Sequence, residues 1–501
     1  MKSTALCADR YHAVMGNFAL GVDPLGVGEC LGNALVSFYI TQRKIPYGPC
    51  VGHERLVDSL ARSRADANRA RFLKEDRAGL KLIAEVLSSS RFQGEVYAVP
   101  EGTIVFNGEP IAMVTGPFAN IQMYEVAFEH AFDFPMTVAA RAMSMKQVAG
   151  GAFVSDFTLR RSGDFERSVE ASKYSFIGGL DDTSNLEAGF RYDIVTVGTM
   201  AHYLVQAFMG LADAARINNT KIPKEWYDEN GEIKHGERLA FEYWLDCYPK
   251  GTVCLVDTIS LESGMIHTIE AALSSPARRQ ALKAIRIDSG DLIFGSIYAR
   301  RMLDINGLYN VGIILTGDLD DLKIREIREK LAKFNVKILG YGVGTKLTAE
   351  IDRIAGVIFK MISILDQPTL KCSETSGKET LPGLLQFWRC ENREGRYIFD
   401  VIAKADELKP QNSEIYKATP LLQPFWVQGT HPELKTPHEL KRIVEEEKKR
   451  FIVPLDQYRK ERVSCSHKLE VLRERLKEKY HRIATSIISI VDKSSIEIEL
   501  A

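Results

Sequence analysis

The chain has 501 residues, 45% of them hydrophobic and 26% charged, with a formal net charge of −1. That length suits roughly two to four domains, and the balanced charge gives no electrostatic case for nucleic acid or an anionic membrane as partner. The eight cysteines, at 7, 30, 50, 247, 254, 372, 390 and 465, form no CxxC pair, and Cys247 and Cys254 lie apart from any histidine that would make a zinc motif. Reduced thiols and a cytoplasmic location are therefore expected. Asp9, Arg10 and His12 interrupt the apolar core of a signal peptide, and no run of about 18 apolar residues is present to span a bilayer.

Residues 1–150 predict an N-terminal α+β domain. Alternating residues at 94–100 and 103–106 predict strands, Asn107-Gly108 gives a hairpin signal, and 110–114 is the next strand. From 151 to 350 the pattern changes to strand–turn–helix units. Residues 194–197 predict a buried strand, followed by Gly198-Thr199 and, from Tyr203 on, helical spacing. Strands are also predicted at 252–257, 284–287 and 311–316. After the last of these, Gly317-Asp318-Leu319-Asp320-Asp321 leads into a helix carrying Leu322, Ile324, Ile327, Leu331 and Phe334, and residues 336–339 form the next strand. Repeated βα units call for a parallel sheet, closed as an irregular TIM-like α/β barrel. Residues 351–430 turn strand-rich again, as at 395–401, and 431–501 form a charged helical tail, as at 438–450 and 467–483.

The carboxyl ends of these strands collect the chemistry. They carry Asp156-Phe157-Thr158-Leu159-Arg160-Arg161, the loop Gly178-Gly179-Leu180-Asp181-Asp182-Thr183-Ser184-Asn185, His202, Asp257-Thr258, Arg286-Ile287-Asp288-Ser289-Gly290-Asp291, Thr316-Gly317-Asp318 and Gly340-x-Gly342-x-Gly344-Thr345. Each has a plainer reading: Asp-Ser-Gly-Asp is a good helix cap, and Phe157 alone is core. Together they describe a pocket with backbone amides for phosphate, carboxylates for hydroxyls or Mg²⁺, arginines for anions and a flat aromatic wall. A phosphoribosyl transfer needs these parts, because its cation-like ribosyl carbon wants a carboxylate and its departing pyrophosphate wants arginines and a metal ion.

Five ordered stretches carry a family resemblance: Asp156-Phe157-x-Leu159-Arg160-Arg161, Gly178-Gly179-x-Asp181-x-Thr183-Ser184-Asn185, Gly198-Thr199-x-Ala201-His202, Arg286-x-Asp288-Ser289-Gly290-Asp291-Leu292 and Gly342-x-Gly344-Thr345. Residues 371–383 match as well. The chain resembles the nicotinate phosphoribosyltransferases, with the type II phosphoribosyltransferase fold, over roughly residues 5–405. The resemblance implies that residues 351–430 complete the N-terminal domain beside the barrel. It also implies a homodimer with shared active sites, and a reaction of nicotinate with 5-phosphoribosyl 1-pyrophosphate assisted by Mg²⁺ and by ATP as co-substrate. By the same likeness His202 is transiently phosphorylated, Phe157 stacks on the pyridine ring and Tyr11 of the partner subunit supplies the opposite face. Arg160 and Arg286 hold anionic groups, Asp288 contacts the ribosyl moiety, and Gly317 and Gly344 cradle the nucleotide phosphate, with Thr183, Ser184, Asp257, Ser289 and Thr345 lining the substrates.

Ser184 favours nicotinate over nicotinamide, because a carboxylate at that place would accept from an amide but repel an acid. The family usually continues Asp-Thr with Tyr-Asp, whereas this chain has Ile259-Ser260, and Tyr203 follows His202 where the family has a small or acidic residue. Two other readings share the barrel: a nicotinamide-using relative, and a binding protein without catalysis.

Overall fold

The computed structural model describes residues 3–218, 221–349, 354–373 and 379–488. Residues 374–378 of the family-like stretch 371–383, and 489–501 of the expected tail, lie outside the described residues. The chain divides into two compact units, one made of Met1–Ala140 with Asp352–Ala501 and the other of Arg141–Ile351.

The second unit is built on a curled, half-barrel sheet of parallel strands in the order Asp182–Thr183, Phe153–Asp156, Gly340–Val343, Gly312–Leu315, Leu282–Ile287, Thr252–Leu255. Ile285, Ile287, Ile313 and Leu315 are buried within it, as expected of parallel strands covered by helices. The helices start directly after the strands because the loops supply their caps. Ser260 accepts from the Ser263 amide, Asp291 from the Ile293 and Phe294 amides, and Asp320 from the Lys323 amide. Each cap satisfies an amide that the first helical turn leaves without a partner. The helix Asp321–Ala332 then buries Ile324, Ile327 and Leu331, at the predicted spacing.

Three local expectations change. Residues 194–197 make one parallel bridge, Thr183 to Thr196, rather than a strand, because their neighbour Asp182–Thr183 is only two residues long; Val195 is 66% exposed. The strand expected at 336–339 instead spans Gly340–Val343, so two of the three glycines read as a loop lie within the sheet. Asn107-Gly108 forms the expected tight turn, closed by the Glu109 amide on the Phe106 carbonyl at 3.2 Å, but the strands on either side of it do not pair with each other. Ile104–Phe106 pairs with Tyr47–Pro49, and Pro110–Pro117 pairs with Leu35–Gln42 and Glu95–Ala98. At the turn the buried carboxyl of Glu109 takes the Phe106 amide at 2.7 Å, while the Asn107 and Gly108 amides go to Pro46 and Gln42 carbonyls.

The first unit holds an antiparallel six-stranded sheet in the order Gln367–Pro368, Val357–Ile364, Leu35–Gln42, Pro110–Pro117, Glu95–Ala98, Gln423–Trp426. A second sheet contains Leu385–Glu391 and Tyr397–Lys404. There the fully buried Arg389 meets Asp400 at 2.7 Å, Glu447 at 3.2 Å and the Ile104 carbonyl at 2.8 Å. Burial, reinforced by Asp400, holds the nearby Glu109 carboxyl well above its ordinary range. The helices Pro437–Arg450 and His467–Ile488 supply the charged tail. No described helix is long and apolar enough to cross a membrane.

Candidate active site

The strand Phe153–Asp156 ends on a buried carboxylate that organises its loop. Asp156 accepts from the Thr158 amide at 2.9 Å and from the Thr183 hydroxyl at 2.7 Å, and its carbonyl accepts from the Ser184 amide at 2.9 Å. Thr183 and Ser184 are thereby tied to the turn that presents Phe157. The Phe157 ring lies against Gly342, where an added Cβ would stand 2.4 Å from Phe157 Cε2. No larger residue fits at 342 with the ring in this position. Gly344 approaches the Phe157 carbonyl similarly, at 3.0 Å from a hypothetical Cβ, and Arg161 donates to the Thr345 hydroxyl.

On the next strands, Asp257 Oδ2 accepts from the Asp288 amide at 2.9 Å and from the Ser289 hydroxyl at 2.6 Å, while its Oδ1 is buried without a hydrogen-bond partner. The Thr316 hydroxyl donates to the Asp288 carboxylate. Gly317 has φ +102°, and a Cβ there would meet the Asp288 carbonyl oxygen at 2.4 Å. The turn therefore closes on Asp288 only because residue 317 has no side chain.

Arg286 points from its strand to the Thr199 hydroxyl at 2.6 Å, with its Nε buried and unpartnered. Burial pulls this guanidinium below its ordinary value, Arg160 adds to that, and Asp288 and Asp257 oppose it. His202 is the first residue of the helix His202–Asn218, and its Nδ1 lies 3.1 Å from the Thr258 hydroxyl. Tyr203 is 75% exposed and takes no part in that contact. At the departure after Thr258, Ile259 is exposed and Ser260 serves as the helix cap already described.

Phe157, Arg160, Asp288, Gly317, Gly344 and Thr345 line one cavity of about 170 Å³. Asp288 and Gly317 also line a neighbouring cavity of about 620 Å³, with Ser289, Asp291, Lys323 and Lys330. Tyr11 belongs to the first unit, on the helix Arg10–Gly21, where it is 49% exposed and 3.4 Å from Glu125 Oε2. Sequence reasoning passed over Thr199 as the partner of Arg286 and Thr258 as the partner of His202. Each was legible only as a hydroxyl next to a strand-end motif.

Residues 153–400 match the profile of the nicotinate phosphoribosyltransferase (NAPRTase) family. The chain is 32% identical over 318 residues to the nicotinate phosphoribosyltransferase of Bacillus subtilis, covering 62% of this chain and 58% of that one, so the match spans less than two thirds of that relative. It is 31% identical over 401 residues to nicotinate phosphoribosyltransferase pncB2 of Mycobacterium tuberculosis, covering 78% of this chain and 77% of the relative. The crystal structure of human nicotinic acid phosphoribosyltransferase superposes with a TM-score of 0.71 at 22% identity, over 93% of this chain and 99% of that chain. That of nicotinate-nucleotide pyrophosphorylase from Pyrococcus furiosus gives 0.65 at 22% identity, over 89% and 95%. At such identity the structural likeness carries the fold, and the family rests on sequence. The chain belongs to the nicotinate phosphoribosyltransferase family.

Proposed function

We propose that this chain joins nicotinate to 5-phosphoribosyl 1-pyrophosphate, giving nicotinate mononucleotide and pyrophosphate, a step of NAD biosynthesis by salvage. The observation that carries this reading is the convergence of Phe157, Arg160, Asp288, Gly317 and Gly344 on one cavity. The pyridine nitrogen attacks the ribosyl carbon as its bond to pyrophosphate breaks. Phe157 offers a flat face to the ring, and Asp288 offers negative charge to the cation-like carbon. Arg160 and Arg286 neutralise anionic groups, and the amides around Gly317 and Gly344 suit the phosphate that stays. Ser184, Ser289 and Thr345 supply hydroxyls along the same strand ends, and Thr183, buried against Asp156, serves the site by holding Ser184 in place. A serine at 184 lets a carboxylate substrate approach without repulsion, which supports nicotinate over nicotinamide.

The orphaned Asp257 Oδ1 is a hard oxygen donor that fits Mg²⁺, with Asp288 beside it. Bound there, the ion would neutralise charge on the phosphates. ATP is the proposed phosphoryl donor to His202. With the ring proton on Nδ1 and donated to Thr258, Nε2 keeps its lone pair for phosphorus. The phosphoryl group would then sit at the N-terminus of a 17-residue helix, where negative charge is favoured.

A homodimer is supported by the helix Arg10–Gly21, on which Tyr11, Val14, Met15 and Phe18 form an exposed apolar stripe, with Phe18 63% exposed. A second copy covering that stripe would meet Tyr11. The test is product formation by purified protein with the phosphoribosyl donor, Mg²⁺ and either base, with and without ATP. Product from nicotinamide alone would overturn the substrate assignment, and none from either base would overturn the activity. His202→Ala is expected to abolish ATP stimulation while sparing ATP-independent turnover.

A further inference from the structure

We propose that His235, Glu237 and His267 form a binding site for one first-row transition-metal ion of the zinc type. They are the one group of three or more histidine, cysteine, aspartate or glutamate residues among the described residues whose ligand atoms all lie within 4.8 Å of one another. His235 stands just before the helix Gly236–Cys247, Glu237 lies in its first turn, and His267 is on the helix Leu261–Leu273. The donor set of two imidazoles and one carboxylate is one that zinc takes, with a fourth position left for water.

A structural ion pair between Glu237 and His267 explains only part of this arrangement. Glu237 is fully buried, and its Oε2 already accepts from the Ser263 hydroxyl at 2.7 Å and meets His267 Nδ1 at 2.8 Å. Its Oε1 is buried with no hydrogen-bond partner, a costly state for a carboxylate unless something positive sits against it. The pair itself does not use the ring of His235, which caps the helix by accepting from the Glu237 amide at 3.3 Å through Nδ1 and lies 4.3 Å from the ring of His267 at an interplanar angle of 7°, with Nε2 left for an ion. A metal ion bound by both carboxylate oxygens uses both features, the orphaned oxygen and the second imidazole.

The ligands are held in advance. Arg216 donates to the Ile233 carbonyl at 2.9 Å and to the Lys234 carbonyl at 3.0 Å, fixing the chain as it enters His235. Gly236 packs so closely on the preceding helix that a Cβ would stand 2.3 Å from Met209 Cα. Ser263 is the outer partner that orients the carboxylate. Zinc bonds of about 2.0–2.2 Å set tetrahedral ligands about 3.3–3.5 Å apart. To reach that geometry the 2.8 Å pair opens slightly and atoms up to 4.8 Å apart close. The ion would clip the start of one helix to the next, about two turns beyond the Ser260 cap.

The proposal stands apart from the phosphoribosyl reading, and its test needs no substrate. Protein freed of any affinity tag and stripped with a chelator is titrated with Zn²⁺ and separately with Co²⁺. Metal content, visible absorption and thermal midpoint are followed. About one equivalent per chain, cobalt absorption and a raised midpoint are expected. His235→Ala removes the exposed ligand together with the cap on the Glu237 amide, so the stripped variant should melt below stripped wild type and bind zinc more than about tenfold more weakly. Glu237→Gln, a buried isostere, should lose the cobalt absorption as well. Wild type that takes up no stoichiometric zinc, or His235→Ala with unchanged affinity, would overturn the site.

Discussion

Replacing Thr258 with valine keeps the shape of the side chain and removes the hydroxyl that meets His202 Nδ1 at 3.1 Å. A neutral, half-buried hydrogen bond of this kind contributes about 0.5–1.5 kcal/mol. If it holds the imidazole in the tautomer that leaves Nε2 free, its loss should slow the ATP-stimulated rate by roughly 2- to 13-fold. The ATP-independent rate should not change, because no part of that turnover requires the imidazole. The assay is initial-rate formation of nicotinate mononucleotide with and without ATP, alongside acid-labile, base-stable phosphate on the protein. Equal losses in both rates would mean that Thr258 supports the fold rather than the tautomer. Undiminished ATP stimulation would refute the reasoning.

Gly317→Ala should lower stability by about 1–3 kcal/mol and sharply reduce turnover, since φ +102° and the Asp288 carbonyl 2.4 Å from the new Cβ both oppose it; urea unfolding and the same assay check this. Arg389→Met leaves Asp400 and Glu447 without their buried cation, and a loss of about 3–5 kcal/mol is expected in denaturation. Burial, then Glu125, pushes the Glu129 carboxyl up to about 7. The folded state therefore holds a proton that the unfolded state releases near 4.5. Stability from this group is present below about 4.5 and lost as pH rises toward 7, so Glu129→Gln should gain on wild type in thermal midpoint between those pH values. A difference that does not vary with pH would refute that account.

The parallel sheet was legible because its strands are apolar and its turns carry capping side chains. Asp291, readable as a cap or as a site residue, is a cap that also lines a cavity wall. What failed was pairing. Asn107-Gly108 has the composition of a hairpin turn and makes the turn, but its flanking strands pair elsewhere, and the buried Glu109 carboxyl takes an amide that a ladder would have used. Gly342 carries a second role that composition does not show, since it lines the cavity and also leaves room for the Phe157 ring beside it. Local composition carries the turn residues, whereas partners far apart in sequence decide which contact each one serves. His235 and His267 are such a pair, with no spacing motif to announce them.

The strand Leu35–Gln42 has a consequence for how the chain is made. It is buried along seven of its eight residues, and one edge pairs with Val357–Ile364 over seven positions. Roughly three hundred residues must be translated between the two partners, about 15–60 s at about 5–20 residues per second. During that interval an apolar strand waits on the ribosome with an open edge, the template that aggregation uses. The cell's expected difficulty with this protein is therefore one of timing, with chaperone demand and slow refolding set by strands made late, among them Val357–Ile364 and Gln423–Trp426.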